Sequence, residues 1–402
     1  MKTPVDWNST LLHRVAEVRS GLSKNAKRVG PTVKKPYLRV ANVQDGFLDL
    51  SDVKEIDVPA SQVAHFTLKP GDLLLVEGNG NPENLGRGCI WNGQIPECVH
   101  QNHIFVVRTL PEAEALPEFL ALQLQSDHGR NYLLSCAKGS TGLSTLNSAQ
   151  LKGFPLLLPC VAEQRAILAV IATWDTAIET TERLIAAKER RHHWLLQCLI
   201  DRKTARQHWE TQELGGLLFE RNERSSRHDE FPVLTSSRRG LFLQSEYFSK
   251  QVTSEDNTGY KIMRRGDFTF RSMSDDGRFA FNRLEQYDAG IISPAYGVFY
   301  ADGVSPDFLA HYLNSNYFAQ LLARETQGGT RKALRFSALA SMEVELPKRA
   351  DQERIAAILD ESRREIDLLQ TQLEILRRQK RGLVQKLLTG KWRIPMEEGV
   401  AA

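Results

Sequence analysis

Three short segments place Ser, His, Lys or Tyr side chains at spacings that catalytic motifs use. Ser293–Tyr296 (SPAY) partly matches the Ser/Asp/Asn-Pro-Pro-Tyr motif that orients an exocyclic amine in amino-methyltransferases, but the second proline and a glycine-rich cofactor loop are missing. Ser135–Lys138 fits Ser-x-x-Lys without its companion motifs. His100–His103 has no further ligands at metal spacing, and no Gly-Lys-Ser/Thr phosphate loop occurs. The sequence therefore predicts no catalytic residue, no metal site and no cofactor.

Basic and amide side chains offer a different chemistry, the binding of DNA. Arg can read guanine and Asn or Gln can read adenine, while Lys, Arg and Ser/Thr loops hold phosphates. Each candidate is also compatible with a solvated surface charge, and the loops with plain hairpin connections. The recurrence of such loops in both halves of the chain favours binding. The candidates are Lys34, Lys35, Arg39, Asn79, Asn81, Arg87, Asn102, Lys138, Ser140 and Thr141 in the first half, and Arg238, Arg239, Arg271, Arg278, Thr330, Arg331 and Lys332 in the second.

Composition limits the class of protein without naming a partner. The 402 residues are 41% hydrophobic and 25% charged, which is ordinary for globular proteins, and the length predicts two or more domains. The net charge of only +3 does not indicate nucleic acid, so the local distribution of charge must carry that argument. We expect no signal peptide, no membrane segment and free thiols in a reducing cytoplasm, because the five cysteines form no C-x-x-C pair.

The candidate loops must be positioned by larger elements, and two stretches of sequence share one helical pattern. They run from about Glu163 to about Leu199 and from about Asp351 to about Leu387, and Ile355 follows Ile167 by 188 positions. Along both stretches apolar residues alternate at steps of four and three, the a/d repeat of a coiled coil. The predicted seam is Ile167, Ile171, Trp174, Ile178, Ile185, Leu195, Leu199, Ile355, Leu359, Ile366, Leu369, Leu373, Leu383 and Leu387.

Helices of this length, about 55 Å at about 1.5 Å per residue, need a partner for their apolar stripe. One long seam between the two copies is compatible with the pattern, and so are two separate docking surfaces for other chains. Packing of each helix on its own domain is the simplest alternative. Polar residues occupy the seam positions Thr181, Lys188, His192, Ser362 and Lys380. Such residues usually set register, and they leave room for a partner subunit.

The segments before the two helices are predicted to be globular domains of mixed strand and helix. In the first, strands are expected in Pro36–Val43, Leu73–Glu77 and His103–Val107, and a helix from Pro117 to about Leu134. The second segment echoes landmarks of the first at different spacing. The predicted fold is α+β, with two globular domains alternating with two long helices in a pseudo-two-fold repeat. The predicted boundaries are 1–155 and 205–345 for the globular domains, 156–204 and 346–395 for the helices, and 396–402 for a tail.

Three segments carry a resemblance to a known family. They are Leu157–Pro159 with Ala162–Ile167, its echo Leu346-Pro347 with Asp351–Ile355, and the ending Gln379–Trp392. In the first domain, Tyr37–Val43, Gly71–Leu74, Leu85–Gly88 and Gln101–Ile104 add to it. Over nearly its full length the chain resembles the specificity (S) subunits of Type I restriction–modification enzymes. The first helix lacks the Gln-Lys-x-Gly-Leu ending of the second, and the second globular domain matches the family pattern weakly.

The resemblance implies a role for each part of the chain. Two target-recognition domains would each read one half of a split DNA sequence. The helices would pair as an antiparallel coiled-coil spacer and bind two methyltransferase (M) subunits, and through them the restriction/translocase (R) subunits. The S subunit itself would have no catalytic centre.

Three hypotheses about function follow. The first is a non-catalytic DNA-recognition subunit, for which DNA binding should show a steep salt dependence. The second is a coiled-coil scaffold that binds protein partners without DNA specificity, for which that salt slope should be absent. The third is a self-contained DNA methyltransferase or nuclease, which would turn over substrate alone, and the missing cofactor and metal motifs argue against it.

Overall fold

The structure, a computed structural model, describes residues 6–23, 30–78, 85–136, 146–247, 256–325 and 332–395. The chain divides into two compact units. Unit 1 comprises residues 1–180 and 373–402, and unit 2 comprises residues 181–372. The division therefore falls within the two predicted helical stretches.

The elements are the following, in chain order. Unit 1 contains β1 (Asn8–Leu11), α1 (Leu12–Val15), β2 (Ala16–Ser20), β3 (Thr32–Leu38), β4 (Lys54–Pro59), α2 (Val63–Phe66), β5 (Leu73–Val76), β6 (Gly88–Ile90), β7 (Val99–His100), β8 (Ile104–Thr109), α3 (Pro117–Gln125), α4 (Asp127–Cys136), α5 (Ser148–Lys152) and β9 (Pro155–Leu158). Helix α6 (Val161–Leu196) follows. Unit 2 contains β10 (Glu210–Glu213), β11 (Leu218–Glu220), β12 (Val233–Ser237), β13 (Gly240–Leu243), α7 (Gln244–Tyr247), β14 (Lys261–Arg264), β15 (Phe268–Arg271), β16 (Met273–Ser274), β17 (Phe281–Arg283), β18 (Ala289–Ile292), β19 (Tyr296–Ala301), α8 (Pro306–Leu313), α9 (Asn316–Glu325), β20 (Lys332–Ala333), α10 (Phe336–Ala340) and β21 (Glu343–Leu346). Helix α11 (Arg349–Leu388) is the last.

Unit 1 is built on an antiparallel sheet of strand order β2-β8-β5-β6. Both faces of this sheet are buried, which explains the continuous apolar run of β5, since alternate residues of a strand face opposite sides. Leu73 and Leu75 pack in the cluster that contains Phe119, while Leu74 and Val76 pack in the cluster that contains Trp91. A second sheet of order β4-β3-β7 pairs β3 antiparallel with β4 and parallel with β7.

Unit 2 repeats the strand order and pairing directions of unit 1 and adds one strand, β14, antiparallel to β18 in its second sheet. Its antiparallel sheet has the order β11-β19-β15-β17, and its second sheet, of order β13-β12-β18-β14, pairs β12 antiparallel with β13 and parallel with β18. The core of the first sheet is aromatic, with Phe268, Phe270, Phe281 and Phe299 in one cluster. Two-stranded ladders, β1–β9 in unit 1 and β10–β21 in unit 2, precede the long helices.

The predicted helix from Pro117 to about Leu134 is wrong in one respect, because the chain forms two helices there. Ser126 adopts an extended conformation and its hydroxyl accepts the N–H of Gly129 at 3.2 Å, so it caps α4 and ends α3. Unit 2 uses the same device, since the Ser315 hydroxyl accepts the N–H of Phe318 at 3.1 Å between α8 and α9. The strand predicted for Pro36–Val43 also ends early, at Leu38, where a short 3₁₀ turn of Val40–Asn42 takes over.

Both long helices form close to their predicted limits. All predicted seam residues are buried or half-buried, as are the five polar seam residues. In unit 1, Ile167 and Ile171 share a hydrophobic cluster with Leu387. In unit 2, Leu359 is buried in a cluster against which Leu195 packs. Helix α6 ends in a π-helical turn, Gln197–Asp201.

Two lysines at predicted seam positions find carboxylates on the other helix. In unit 1 the Lys380 ammonium donates to the Asp175 carboxylate, and in unit 2 Lys188 Nζ lies 2.7 Å from Glu365 Oε2. Charged groups at seam positions are costly unless they are paired, so these partners account for the two cations.

The glutamine that follows Leu-Pro in both copies of the repeat joins each long helix to its globular part. The side chain of Gln164 accepts the N–H of Leu116 at 2.9 Å and donates to the carbonyl of Glu114 at 2.8 Å. In unit 2, Gln352 accepts the N–H of Ser305 at 2.8 Å. Both glutamines are buried, and both satisfy backbone groups at the start of a helix, α3 or α8, whose terminal donors have no partner within the helix.

In the described ranges, no helix combines the length and the apolarity that crossing a bilayer requires. All five cysteines are free thiols, and Cys89 and Cys98 are buried.

Candidate nucleic-acid interface

Two candidate contacts of unit 1, Arg39 and Arg87, meet at the turn of Val40–Asn42, and a third, Asn102, follows Gln101, which contacts the turn. The Arg87 guanidinium donates to the Val40 carbonyl at 3.1 Å, and the Gln101 side chain, next to Asn102, accepts the Val40 N–H at 3.4 Å. Arg39 leads into the turn and its guanidinium donates to Asp52 Oδ2 at 2.9 Å. Arg39 and Arg87 therefore lie at the same turn although they are far apart in sequence, while the side-chain amide of Asn102 lies 3.4 Å from His103 Nε2.

The two lysines of β3 differ in their surroundings. Lys35 Nζ lies 2.6 Å from Glu97 Oε2, so its charge is already paired. Lys34 is exposed and stands opposite Asp57 in the strand register. Of the remaining candidates, Asn79, Asn81, Lys138, Ser140, Thr141, Thr330 and Arg331 lie outside the described residues.

A cleft of about 1220 Å³ in unit 2 brings together four of the candidate residues: Arg238, Arg239, Arg278 and Lys332. Arg271 does not line it and is exposed at the end of β15. The lining includes seven Arg or Lys residues and five Asp or Glu residues, so it carries more positive than negative charge. The charged lining residues are Arg202, Arg238, Arg239, Arg278, Arg283, Lys332, Arg363, Asp201, Asp276, Glu285, Asp307 and Asp360.

A two-residue hairpin tip presents Arg238 and Arg239 to this cleft. The tip lies between β12 and β13, and Gly240 follows it with φ of 128°, a conformation that disfavours side chains. The amide of Asn282 on β17 donates to the Ser236 hydroxyl at 2.7 Å and to the Ser237 carbonyl at 2.8 Å. The hairpin is therefore fastened to the first sheet. The Arg239 guanidinium lies over the Tyr247 ring, 5.1 Å from its centre.

Asp276 organises the turn after β16, which also lines the cleft. Its carboxylate accepts from the Arg238 guanidinium, from the Ser274 hydroxyl at 3.0 Å and from the Arg278 N–H at 3.1 Å. These contacts, led by Arg238, hold the pKa of this carboxyl well below its ordinary value of 3.8. Gly277 takes the left-handed conformation, and a Cβ there would lie 2.8 Å from the Lys332 side chain. Glycine thus permits the close passage of Lys332.

A second ionic group also lines the cleft. The Arg283 guanidinium donates to Glu285 and, at 2.5 Å, to Asp307 Oδ1. Beside it, His311 Nε2 lies 2.7 Å from Asp360 Oδ1. Burial, together with the neighbouring His311 and Arg363, lowers the pKa of His192 below 6.5.

Sequence reasoning missed several of these residues, including Asp276, Asn282 and Arg283. Only the Gly277 turn, in the segment Asp275–Arg278, offered a local signal. Of the three segments that resembled catalytic motifs, Ser135–Lys138 extends beyond the described residues, and the other two have local structural contacts. Ser293–Tyr296 is the turn between β18 and β19, with the Tyr296 N–H bonded to the Ser293 carbonyl at 3.0 Å. His100 is buried and His103 Nδ1 lies 2.6 Å from Glu77 Oε2. In the part of the chain that is described, no three His, Cys, Asp or Glu side chains are grouped to hold a metal.

Comparison with known proteins decides the family. The model of the family described as "Type I restriction modification DNA specificity domain" matches residues 4–189 and again residues 209–378. The chain belongs to this family. The resemblance seen in the sequence is thus confirmed, and the family model, like the strand order, occurs twice in the chain.

Relatives of the Type I specificity family agree with the assignment. The "Type I restriction enzyme EcoKI specificity subunit" of Escherichia coli K12 is 28% identical over 189 residues, and the match covers 46% of this chain and 39% of that protein. The chain thus spans about two fifths of the length of this curated relative.

Solved structures of the family share the fold. The HsdS subunit from Thermoanaerobacter tengcongensis is 19% identical with a TM-score of 0.53, over 98% of this chain and 99% of that one. A chain from a structural study of complex assembly and conformational transition of the type I R-M system is 18% identical with a TM-score of 0.63, over 98% and 100% of the two chains. At these identities the likeness establishes the fold, with its mixture of helices and sheets, and no more.

Proposed function

We propose that this chain is the DNA-specificity subunit of a Type I restriction–modification complex. Each globular domain reads one half of a bipartite target. Helices α6 and α11 pair as an antiparallel coiled coil, set the gap between the two half-sites and dock two methyltransferase subunits, through which the restriction subunits join. The chain recognises DNA and carries no catalytic centre, so base modification takes place in the partner's pocket.

The observation that carries this proposal is the repeat of one topology in two units. Both have the same four-stranded order and the same mixed pairing around β3 or β12. Two domains of one design with different loop residues are suited to reading two different half-sites, since bases are read by side chains and the scaffold only positions them.

The ion pairs of the long helices support the antiparallel arrangement. In unit 1, Glu163 pairs with Arg393 at 2.6 Å and Asp175 pairs with Lys380, so residue numbers rise along α6 as they fall along the other segment. In unit 2, Lys188 pairs with Glu365 while Leu195 and Ile355 pack on one cluster, which follows the same order. A seam of this kind is typical of a spacer.

The predicted domain boundaries fit the same proposal. The helical segments 156–204 and 346–395 contain α6 and α11 in full, and the globular segments 1–155 and 205–345 each contain two of the larger sheets, while β9 and β21 cross the boundaries. The candidate contacts of unit 1 around Val40–Asn42 and those of the unit 2 cleft are proposed as the two DNA-reading surfaces.

The test is to map methylated adenines in cells that contain the partner subunits, with and without this chain. We expect one split sequence motif to lose its methylation when the chain is absent and to regain it when the chain is restored. Unchanged methylation in cells with active partner subunits would contradict the proposal. As an independent measurement, the binding of duplex DNA should weaken steeply with salt, because phosphate neutralisation releases counterions.

A further inference from the structure

One ion pair in the unit 2 cleft, Arg238–Asp276, joins two exposed side chains. Arg238 stands at the tip of the β12–β13 hairpin, and Asp276 stands in the turn that follows β16. The pair is exposed, with 59% of the Arg238 side chain and 50% of the Asp276 side chain accessible. Exposed pairs contribute little to stability. Hydrogen bonds nevertheless hold both partners in place. Asn282 bonds to the hairpin that carries Arg238, and the Asp276 carboxylate accepts from the Ser274 hydroxyl and the Arg278 N–H.

The carboxylate decides what Arg238 can bind. A DNA phosphate approaching Arg238 would also approach the negative charge of Asp276, and this repulsion disfavours a phosphate contact. A base edge is neutral and meets no such repulsion. The guanidinium has five N–H donors in a planar fork, and holding one edge on a carboxylate fixes the direction of the others.

Two neighbouring cations have different surroundings. Within the described ranges, no carboxylate lies at ion-pair distance from Arg278 or Lys332. Lys332 also passes directly over Gly277, so its ammonium stands beside the same turn. The charges of these two side chains are not engaged by a carboxylate of the described residues, whereas the guanidinium of Arg238 is held by Asp276.

We infer that Asp276 is a positioning residue that aims Arg238 at the O6 and N7 atoms of one guanine, while Arg278 and Lys332 hold the phosphate backbone next to it. The inference rests on the proposed function and assigns one base pair of the half-site read by unit 2. Bidentate contact with guanine is the commonest use of arginine in direct base readout.

The experiment uses the purified full-length chain and a pool of duplexes of randomised sequence, with the bound sequences determined. Four variants are compared with the unchanged chain: Asp276→Asn, Arg238→Gln, Lys332→Ala and Asp288→Asn. Asparagine retains an oxygen that can accept from Ser274 and Arg278. Asp288→Asn is the matched control, because it removes the carboxylate of another exposed arginine pair, Arg265–Asp288, that does not line the cleft.

We expect Asp276→Asn and Arg238→Gln to change the same single position of the enriched motif. At that position, a G·C pair, the preference over other base pairs should fall roughly tenfold to a hundredfold. Lys332→Ala should keep the motif, weaken binding to all sequences and reduce the log–log salt slope by about one, as expected for a phosphate contact. The control variant should keep both the motif and the affinity.

Several outcomes would overturn the inference. Asp276→Asn could leave every position of the motif intact, weaken binding to all sequences alike, or affect a position different from the one that Arg238→Gln affects. If the unchanged chain enriched no motif at all, the proposed function would fail instead. Thermal unfolding identifies a misfolded variant, and Arg238→Gln, at an exposed hairpin tip, tests the guanine contact separately: a motif that keeps every position in this variant would also overturn the inference.

Discussion

At the scale of single residues, Gln164 and Gln352 show how a repeated motif acts through buried hydrogen bonds. Each accepts an N–H at the start of α3 or α8 and donates to a proline carbonyl at 2.9 Å just before its own long helix. A buried amide that satisfies backbone groups on two elements fixes their relative position, because leaving those groups unpaired is costly.

We expect Gln164→Ala to destabilise unit 1 by about 1–3 kcal/mol, since the Leu116 N–H loses its buried acceptor. Hydrogen exchange is the suitable measurement, because a chain of two units need not unfold in one step. The Leu116 amide should exchange faster. Gln370→Ala, on an exposed face of α11, is the control and should leave the exchange of unit 1 unchanged.

His100 gives unit 1 a dependence on pH. Burial lowers its pKa from 6.5 to about 4, with the Asp72 carboxylate acting in the opposite direction. Between these two pH values the unfolded chain binds the extra proton and the folded chain does not, so stability falls as the pH is lowered from 6.5 towards 4. The full difference corresponds to about 3 kcal/mol.

Unfolding temperatures measured between pH 7 and pH 4 check this expectation. The variant His100→Gln cannot titrate at this position and should show a flatter dependence over that window. An equally steep dependence in the variant would show that other groups cause the acid sensitivity.

At the scale of elements, equivalent positions of the two long helices carry different charged residues. In unit 1 the position of His192 in the repeat is taken by Lys380, and that of Arg363 by Asp175. Lys380 and Asp175 attract each other, whereas His192 faces Arg363, which contributes to the lowered pKa of His192. Arg363 instead pairs with Asp367 at 3.2 Å on its own helix. The two helices therefore share the apolar repeat, but the charges at these equivalent positions attract each other in unit 1 and repel each other in unit 2.

The seam can be tested with two substitutions on one helix. Ile366 is 1% exposed and Leu368 is 65% exposed. Ile366→Ala should destabilise unit 2 by about 2–5 kcal/mol through lost burial and a cavity, while Leu368→Ala should change stability by less than about 0.5 kcal/mol. Calorimetry compares the two unfolding temperatures. Equal effects would show that Ile366 is not part of a packed seam.

At the scale of the whole molecule, the proposed role of α6 and α11 predicts how helix length affects the DNA target. Seven residues inserted between Thr180 and Thr181, and seven more between Gln372 and Leu373, would preserve the a/d repeat. Each helix would lengthen by about 10 Å at about 1.5 Å per residue, which equals about 3 base pairs. We expect the gap between the half-sites to grow by that amount while the half-sites stay the same.

Methylation mapping in cells reads out the gap directly. Insertion into α6 alone is the matched control, because it shifts one side of the proposed pairing against the other and should reduce recognition altogether. A gap that stays unchanged after the double insertion would contradict the spacer role.

The long helices were the most predictable part of the fold. Their period of four and three and the offset between the copies are local properties, and the structure places both helices within a few residues of the predicted limits. The strands around Leu73 and His103 were predictable for the same reason, as runs of buried apolar residues. The break at Ser126 was missed, although a serine before an acidic residue is a local cap signal.

By itself, the amino-acid sequence determined the two long helices, their repetition and the family, because periodicity and motif spacing act over neighbouring residues. Only the tertiary structure decided which charges meet. Arg238, at the tip of the β12–β13 hairpin, is paired with Asp276 in the turn after β16, and Lys35 is paired with Glu97 far along the chain. Such pairings depend on strand order and register, which bring distant residues together, and no local pattern encodes them.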